Sequence, residues 1–177
     1  MGRKRALIVG GSLAGLFAAH LLRTIGWEAE VFERNLGDLA SRGAGIGTHD
    51  ALIEVAQRIG LSFDSTMGVA TQAYACLDHN GRVLHEMPLR RMMSAWSVIY
   101  RPLKDRLPPD LYHRGRALAR VEANGADVTA ILVDGSRVNG DLLVAADGFR
   151  STVRAQFLPN AQPIYAGYIA WRAVIPE

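Results

Sequence analysis

A run of small residues near the start of the chain has the spacing of a phosphate-binding turn. Residues 10–15 read GGSLAG, which follows the G-x-G-x-x-G pattern except that Ser12 replaces the second glycine. In that pattern Gly10 forms the tight turn and Gly15 lets a helix pack closely against a strand. Ser12 is small enough for the backbone to approach a pyrophosphate, and its hydroxyl can add a hydrogen bond.

The elements that must position this turn are a strand before it and a helix after it. Residues 6–9 form an apolar run without alternation, which is typical of a strand buried on both faces of a parallel sheet. Apolar side chains recur at helical spacing over residues 13–25, so they form one stripe that can pack against the sheet. At the start of this helix, the N–H groups of Leu13 and Ala14 would face a bound phosphate.

A carboxylate completes this unit. The second strand, predicted over residues 28–32, ends at Glu33, which lies 23 positions after Gly10. An acid at about this spacing bonds the ribose hydroxyls of a bound adenosine. Strand, turn, helix, strand and acid together predict a dinucleotide-binding βαβ unit rather than an ordinary glycine-rich turn.

Three other interpretations of the same stretch are weaker. The basic start and the apolar run resemble a signal peptide, but His20 and several glycines interrupt the run. The letters GGSLA nearly match the G-x-S-x-G turn of serine hydrolases, but Ala14 replaces the last glycine and such a turn normally follows several strands. A plain NAD dehydrogenase would share every feature up to Glu33, so the rest of the chain must decide that case.

The composition is typical of a soluble globular domain. Of the 177 residues, 49% are hydrophobic and 21% are charged, and the net charge of +3 is too small to indicate a nucleic-acid partner. No segment is long and apolar enough to predict a membrane span. The single cysteine, Cys76, excludes an internal disulfide, fits a reducing cytoplasm and is expected to be buried. Cys76 and His79 form a lone C-x-x-H pair, so no metal site is predicted.

The middle of the chain changes from helical to strand patterning. A glycine-bearing loop over residues 34–47 precedes a helix predicted over residues 50–59. Residues 74–78 and 83–87 have the pattern of the two strands of a hairpin. The block over about residues 70–100 is therefore predicted to be an inserted β segment.

The last part of the chain returns to a buried strand. Before it, Pro102 is expected to open a short helix, and strands are predicted over residues 117–122 and 128–133. Residues 141–148 then read DLLVAADG, which predicts a second buried parallel strand. Its carboxyl end would carry Asp147 and Gly148 to the sheet edge where ligands of α/β proteins bind. Asp147 could instead cap the turn that follows, and Ser151 is a candidate cap for a helix over residues 152–157.

Three stretches together resemble the class A flavoprotein monooxygenases, whose type member is para-hydroxybenzoate hydroxylase. They are the turn at residues 10–15 with Glu33 and Arg34, residues 142–154 (LLVAADGFRSTVR), and Arg101 within the letters YRPL. The resemblance covers nearly the whole chain but only the N-terminal part of a family member. It implies an α/β fold, namely a Rossmann-like FAD-binding βαβ domain with an inserted antiparallel β segment.

The resemblance also assigns residues to a cofactor site. It implies that the Asp147-Gly148 motif contacts FAD and NAD(P)H, that Arg101 reaches FAD, and that the backbone of Leu118 contacts the adenine. The loop at residues 42–47, which reads RGAGIG, would lie along the flavin ring. The motifs and the resemblance together predict cofactor contacts at Gly10, Ser12, Leu13, Ala14, Gly15, Glu33, Arg34, Arg42, Gly45, Ile46, Arg101, Leu118, Asp147 and Gly148.

The reaction implied by this family is the hydroxylation of an electron-rich aromatic ring, phenolic or hydroxypyridine-like. NAD(P)H reduces FAD, molecular oxygen forms a flavin C4a-hydroperoxide, and a base removes the proton of the substrate hydroxyl. His49 follows the glycine loop directly and is the candidate catalytic base, although it could instead form the start of the next helix. The Gly-Gly-Ser variant, the glycine loop and residues 168–172 are similar to 2,6-dihydroxypyridine hydroxylase-like members.

The family's later Gly-Asp motif has no match here, so the chain is expected to be a fragment or one part of a split protein. The expected domains are a FAD-binding domain over residues 1–160 and the start of a substrate-binding domain over residues 161–177. Two alternatives stay open. One is a flavin-dependent halogenase, because residues 171–176 partly match W-x-W-x-I-P with Ala173 at the second tryptophan. The other is a non-catalytic FAD-binding half.

The partners that the resemblance implies are a small aromatic substrate and molecular oxygen. A homodimer or a complementary C-terminal chain would complete the assembly. The single cysteine favours a cytoplasmic location, and no nucleic acid or membrane is expected to bind.

Overall fold

The computed structural model describes residues 2–41, 45–125 and 127–170. The helices of these residues are α1 (Leu13–Thr24), α2 (Asp50–Arg58), α3 (Trp96–Arg106) and α4 (Thr152–Phe157). The strands are β1 (Arg5–Val9), β2 (Glu28–Glu33), β3 (Gly45–Gly47), β4 (Val69–Leu77), β5 (Val83–Ala95), β6 (Tyr112–Arg114), β7 (Leu118–Ala123), β8 (Val128–Leu132), β9 (Arg137–Gly140) and β10 (Leu142–Ala145).

The site is positioned by a parallel sheet with the strand order β10-β1-β2-β6. β1 lies between β10 and β2, and its residues Ala6, Leu7 and Ile8 are fully buried, as the unbroken apolar run predicts. α1 connects β1 to β2, which confirms the predicted βαβ unit. Because β2 and β10 flank β1 on opposite sides, the carboxyl ends of three parallel strands meet at one edge.

Two apolar clusters cover the two faces of this sheet. On one face, side chains of α1 and α3 pack against β1 and β2, and the buried contributors include Ile8, Leu16, Val31, Ile99, Tyr100 and Leu103. On the other face, the antiparallel sheet β7-β8-β9 supplies the cover, with Leu7, Val9, Phe32, Leu118, Val121 and Leu132 in contact. The parallel sheet is therefore enclosed from both sides, which leaves its carboxyl edge for a ligand.

A third sheet, with the order β3-β5-β4, contains the long hairpin of β4 and β5. The hairpin predicted from residues 74–87 is confirmed, and both strands are longer than predicted. β3 lies within the predicted glycine loop because its backbone pairs with the end of β5. Cys76 of β4 is exposed, so the prediction that it is buried is wrong. Most side chains of this strand are exposed as well, since the described residues place no packed layer over it.

Pro102 does not open a helix but lies inside α3, which begins at Trp96. The prediction placed the helix start six residues too late because it relied on the preference of proline for the first helical position. The buried residues Ile99, Tyr100 and Leu103 recur at helical spacing and pack against α1 and the sheet. This packing maintains the helix through the proline.

β10 is half-buried rather than fully buried as predicted. Within the described part of the chain it pairs only with β1 and forms an edge of the parallel sheet, so one side of its backbone lacks a neighbouring strand. None of the helices in the described ranges is long and apolar enough to cross a membrane.

Candidate functional site

A cleft of about 480 Å³ lies at the carboxyl edge of the parallel sheet. It is formed where the turn after β1, the end of β2 and the end of β10 meet, with the start of β7 beside them. Seven of the predicted cofactor residues line this cleft: Gly10, Ser12, Glu33, Arg34, Leu118, Asp147 and Gly148. The structure therefore brings together residues that are up to 138 positions apart in the chain.

The glycine turn at the base of the cleft requires glycine at two positions. Gly10 has φ +107°, and a Cβ atom there would lie 2.2 Å from the backbone oxygen of Ala146. A Cβ atom on Gly15 would lie 1.9 Å from the backbone oxygen of Gly10. The geometry thus agrees with the predicted roles, a tight turn at Gly10 and close packing of α1 at Gly15.

Ser12 is the N-cap residue of α1, but its side chain makes no capping hydrogen bond. Its backbone is extended, and the residue lines the cleft. Leu13 and Ala14 form the first turn of α1 and do not line the cleft with their side chains. This turn carries no acidic residue, so the positive end of the helix dipole is available to an anion.

Glu33 is 5% exposed and joins the end of β2 to the glycine turn. Its Oε2 accepts a hydrogen bond from the N–H of Gly11 at 2.8 Å, and its Oε1 accepts one from the N–H of Asn35 at 2.9 Å. Oε1 also accepts a second hydrogen bond, from the side-chain amide of Asn35 at 2.5 Å, whereas Oε2 can accept one more. Glu33 can therefore hold the turn and still receive a hydroxyl donor from a ligand in the cleft.

Asp147 uses only one of its two carboxylate oxygens within the described residues. Its Oδ2 accepts hydrogen bonds from the N–H groups of Thr152 at 2.7 Å and Val153 at 3.3 Å, so it does cap α4. Its Oδ1 is buried and has no hydrogen-bond partner in the described part of the chain. Ser151 also caps α4, as predicted, because its Oγ accepts a hydrogen bond from the N–H of Arg154 at 2.9 Å.

The remaining predicted site residues are not in the lining of this cleft. Arg101 is exposed on α3, and Gly45 and Ile46 lie half-buried on β3. Arg42 lies outside the described residues. The cofactor contacts of these four residues stay predictions.

His49 occupies the N-cap position of α2 and is exposed. Its Nδ1 accepts a hydrogen bond from the N–H of Leu52 at 3.3 Å, so the residue forms the start of the helix, which was the alternative to a role as base. A neutral ring that accepts at Nδ1 carries its proton on Nε2. Capping and proton uptake therefore compete for the same nitrogen.

Sequence reasoning missed several residues that line the cleft. Trp96 reaches it from the start of α3, and Arg116 reaches it from the connection before β7. Arg116 forms an ion pair with Asp134 in the turn between β8 and β9, and its backbone N–H donates to the backbone oxygen of Glu33 at 2.9 Å. Arg150 also lines the cleft. It follows the Asp147-Gly148 motif within the letters DGFR, and this position was the one sequence signal that could have identified it as a lining residue.

Residues 3–163 match the sequence profile of the family described as the FAD-binding domain. The chain belongs to this family.

Relatives of this FAD-binding domain include two curated monooxygenases. It is 30% identical to 2,6-dihydroxypyridine 3-monooxygenase of Paenarthrobacter nicotinovorans, over 97% of the chain and 43% of the relative. It is 34% identical to 3-amino-4-hydroxybenzoate 2-monooxygenase of Streptomyces cremeus, over 97% of the chain and 46% of the relative. The FAD-binding domain thus spans less than half the length of either relative.

The solved structure of 2,6-dihydroxypyridine-3-hydroxylase from Arthrobacter nicotinovorans has the same fold. The two superpose with a TM-score of 0.83 at 29% identity, over 94% of this FAD-binding domain and 42% of the hydroxylase chain. The predicted fold class, an α/β fold of the para-hydroxybenzoate hydroxylase type, is confirmed.

The residues of the FAD-binding domain fit a dinucleotide in chemistry as well as in position. The buried Oδ1 of Asp147 can accept a hydrogen bond, and none of the described residues donates one to it. The glycine turn leaves backbone bare where a Cβ would clash, and the adjoining helix start has no acid to repel a phosphate. Arg34 and Arg150 add positive charge to the lining, whereas the charge of Arg116 is paired with Asp134.

Proposed function

We propose that this FAD-binding domain is part of an NAD(P)H-consuming monooxygenase that hydroxylates an electron-rich aromatic ring. The observation that carries the proposal is the single cleft that joins the glycine turn, Glu33 and the Asp147-Gly148 motif. FAD bound there would supply the electron transfer from NAD(P)H and the activation of oxygen. Both curated relatives described above are monooxygenases of hydroxylated aromatic rings.

The residues of the cleft would divide the binding of the dinucleotide among them. The N–H groups at the start of α1 would hold the pyrophosphate, and Glu33 would accept hydrogen bonds from the ribose hydroxyls. The backbone of Leu118 would contact the adenine. Asp147 would accept a hydrogen bond at Oδ1 while its Oδ2 keeps α4 in place.

The substrate class proposed here is a hydroxypyridine or a related phenol. A ring hydroxyl that loses its proton raises the electron density of the ring, so a base beside the substrate would favour oxygen transfer. His49 is the candidate for this base, and it would have to give up its bond to the N–H of Leu52 to take up a proton at Nδ1. The site must also exclude water, because contact with water would consume the activated oxygen before it is transferred to the substrate ring.

The test uses the intact protein, reconstituted with FAD and assayed in air. Addition of 2,6-dihydroxypyridine with NADH or NADPH should consume oxygen and yield a product one oxygen atom heavier by mass spectrometry. Pyridine is the matched control, because it has no hydroxyl to deprotonate and should not be converted. A protein that takes up no FAD, or that binds FAD and hydroxylates no phenolic or hydroxypyridine ring, would contradict the proposal.

The halogenase alternative receives no support from the relatives. The residues that carry its partial motif, 171–176, lie outside the described residues. A cytoplasmic location and the predicted domain boundaries at residues 160 and 161 stay predictions.

A further inference from the structure

A pair of buried tyrosines lies beside the glycine turn, and one of the two, Tyr112, contacts the turn directly. Tyr112 of β6 is 6% exposed, and its hydroxyl donates a hydrogen bond to the backbone oxygen of Gly11 at 2.9 Å. Tyr100 of α3 is 1% exposed, and its hydroxyl lies 3.3 Å from the hydroxyl of Tyr112. Neither tyrosine is among the residues that line the cleft.

The hydroxyl of Tyr112 and the carboxylate of Glu33 bind the two polar groups of Gly11. The N–H of Gly11 donates to Oε2 of Glu33 at 2.8 Å, while its carbonyl accepts from Tyr112. A Cβ atom on Gly11 would lie 2.2 Å from the Tyr112 hydroxyl, so this contact requires glycine at position 11. Both peptide planes that meet at Gly11 are thereby oriented by side chains.

The orientation of the carbonyl determines the direction of the next N–H group. No peptide bond between described residues is cis, and in a planar trans peptide the C=O and the following N–H point in opposite directions. Because the carbonyl of Gly11 points at Tyr112, the N–H of Ser12 points away from Tyr112. Ser12 lines the cleft, and none of the hydrogen bonds among the described residues uses its N–H.

We propose that Tyr112 is a positioning residue that holds the Ser12 N–H toward the cleft, where it donates to the pyrophosphate of the dinucleotide. The proposal rests on the proposed FAD site, and it adds a residue that the glycine pattern does not contain. Tyr112 acts through the peptide of Gly11 and Ser12 and does not itself touch the ligand.

The chemistry of the tyrosine pair fits this role. Burial is the largest effect on the Tyr112 hydroxyl and raises its pKa, so the group stays protonated and can donate. Since Tyr112 gives its proton to Gly11, its oxygen is left to accept from Tyr100. Lys104 lies over the Tyr112 ring, with Nζ 4.4 Å from the ring centroid, and holds the ring in place.

The test compares the variants Tyr112→Phe and Tyr100→Phe with the wild type as intact apo proteins. Calorimetric titrations with FAD and ADP, and ligand-observed NMR with adenosine, separate the pyrophosphate contact from the others. Tyr112→Phe should bind FAD and ADP about two- to tenfold more weakly, which is the range for one neutral hydrogen bond. Adenosine lacks the pyrophosphate, so its affinity should not change. Tyr100→Phe is the matched control and should change FAD affinity less than twofold.

The outcomes distinguish this inference from the proposed function. A wild type that binds neither FAD nor ADP would contradict the FAD site itself. Unchanged FAD and ADP affinity in Tyr112→Phe would overturn only the positioning role. Equal weakening of all three ligands would also overturn it, because a general structural role predicts that result. If Tyr112→Phe does not fold, amide hydrogen exchange of the wild type tests the inference instead. ADP should slow the exchange of the Ser12 N–H. An unchanged exchange rate would overturn the inference.

Discussion

At the scale of single residues, the two carboxylates of the cleft differ in how they are held. Glu33 accepts backbone hydrogen bonds at both oxygens, whereas Asp147 does so only at Oδ2 within the described residues. A substitution at Glu33 would therefore remove the proposed ligand contact and would also release the N–H of Gly11. The proposed ligand contact and the observed support of the turn thus fall on the same residue.

Glu33→Ala should weaken FAD binding by about 1.5–3 kcal/mol, because a hydrogen bond to a charged group contributes in this range. Fluorescence titration of the intact apo protein with FAD measures the effect. Glu28→Ala is the matched control, since Glu28 is exposed at the other end of the same strand. Equal FAD affinity in the wild type and Glu33→Ala would remove Glu33 from the ribose contact.

The two roles considered for His49 can be separated by a pair of substitutions. Asparagine is a good N-cap residue but cannot take up a proton, whereas alanine can neither cap the helix nor take up a proton. If His49 is the base, His49→Asn and His49→Ala should both slow hydroxylation more than flavin reduction in stopped-flow measurements. If His49 only caps α2, His49→Asn should keep the wild-type rates and His49→Ala should lose about 1 kcal/mol of stability.

At the scale of elements, the position of α1 depends on its contacts with β1 and α3. Gly15 lets the helix approach the turn, since its hydrogen atom faces the backbone oxygen of Gly10. On the far side, the Nε2 of His20 lies 2.8 Å from the backbone oxygen of Leu103 in α3. The first contact sets the height of α1 over the sheet, and the second joins it to the neighbouring helix.

Gly15→Ala should destabilise the protein by about 1–3 kcal/mol, the usual cost of forcing extra volume into a packed site. The added Cβ would lie 1.9 Å from the Gly10 oxygen, so α1 must shift and FAD binding should weaken with it. Urea unfolding and FAD titration measure the two effects. Gly37→Ala is the control, because a Cβ there meets nothing within 4 Å. A Gly15→Ala protein as stable as the control would refute the close packing.

Acid should destabilise the fold through His20, which joins α1 to α3. Burial lowers the pKa of His20 below its usual 6.5, although the hydrogen bond to Leu103 opposes this shift. The unfolded chain therefore binds a proton before the folded one does, and stability should fall as pH drops through 6.5 toward the lower folded pKa. When the pH is lowered from 7.5 to 5.5, the unfolding midpoint of His20→Gln should fall less than that of the wild type. A loss equal to that of the wild type would exclude His20 as a source.

At the scale of the whole molecule, the cleft depends on the parallel sheet and on the layers that cover its two faces. Its lining comes from the parallel sheet, from the start of α3 on one face and from the connection before β7 on the other. A ligand that contacts all of these layers favours the folded state over the unfolded chain. Binding and global stability are therefore linked.

FAD should stabilise the intact protein by about 2.7 kcal/mol at a concentration one hundred times its Kd. Denaturant unfolding with and without FAD measures the shift in midpoint. Glu33→Ala provides the control, since its weaker site should show a smaller shift at the same FAD concentration. A midpoint that does not move in the wild type, at a concentration shown to saturate the site, would mean that FAD does not bind the folded state preferentially.

Much of the fold could be predicted from local patterns, and the exceptions have physical reasons. The βαβ unit was predictable because an apolar run, a glycine turn and a helical stripe are each encoded by neighbouring residues. The start of α3 was missed because the preference of proline for helix starts outweighed the weaker helical spacing of Ile99, Tyr100 and Leu103. The exposure of Cys76 was missed because burial depends on which layers cover a strand, and residue type alone does not contain that information.

The sequence by itself determined that the chain has a glycine turn of the dinucleotide-binding pattern, an acid at the sequence spacing typical of ribose contacts, and an Asp-Gly motif after a parallel strand. These features need only the order and spacing of residues along the chain. Only the tertiary structure decided that Arg116 and Trp96 join the cleft, and that Tyr112 reaches the carbonyl of Gly11 across 101 positions of sequence. Such contacts depend on which strands become neighbours, because pairing of β2 with β6 brings Tyr112 under the turn, and no local pattern records that pairing.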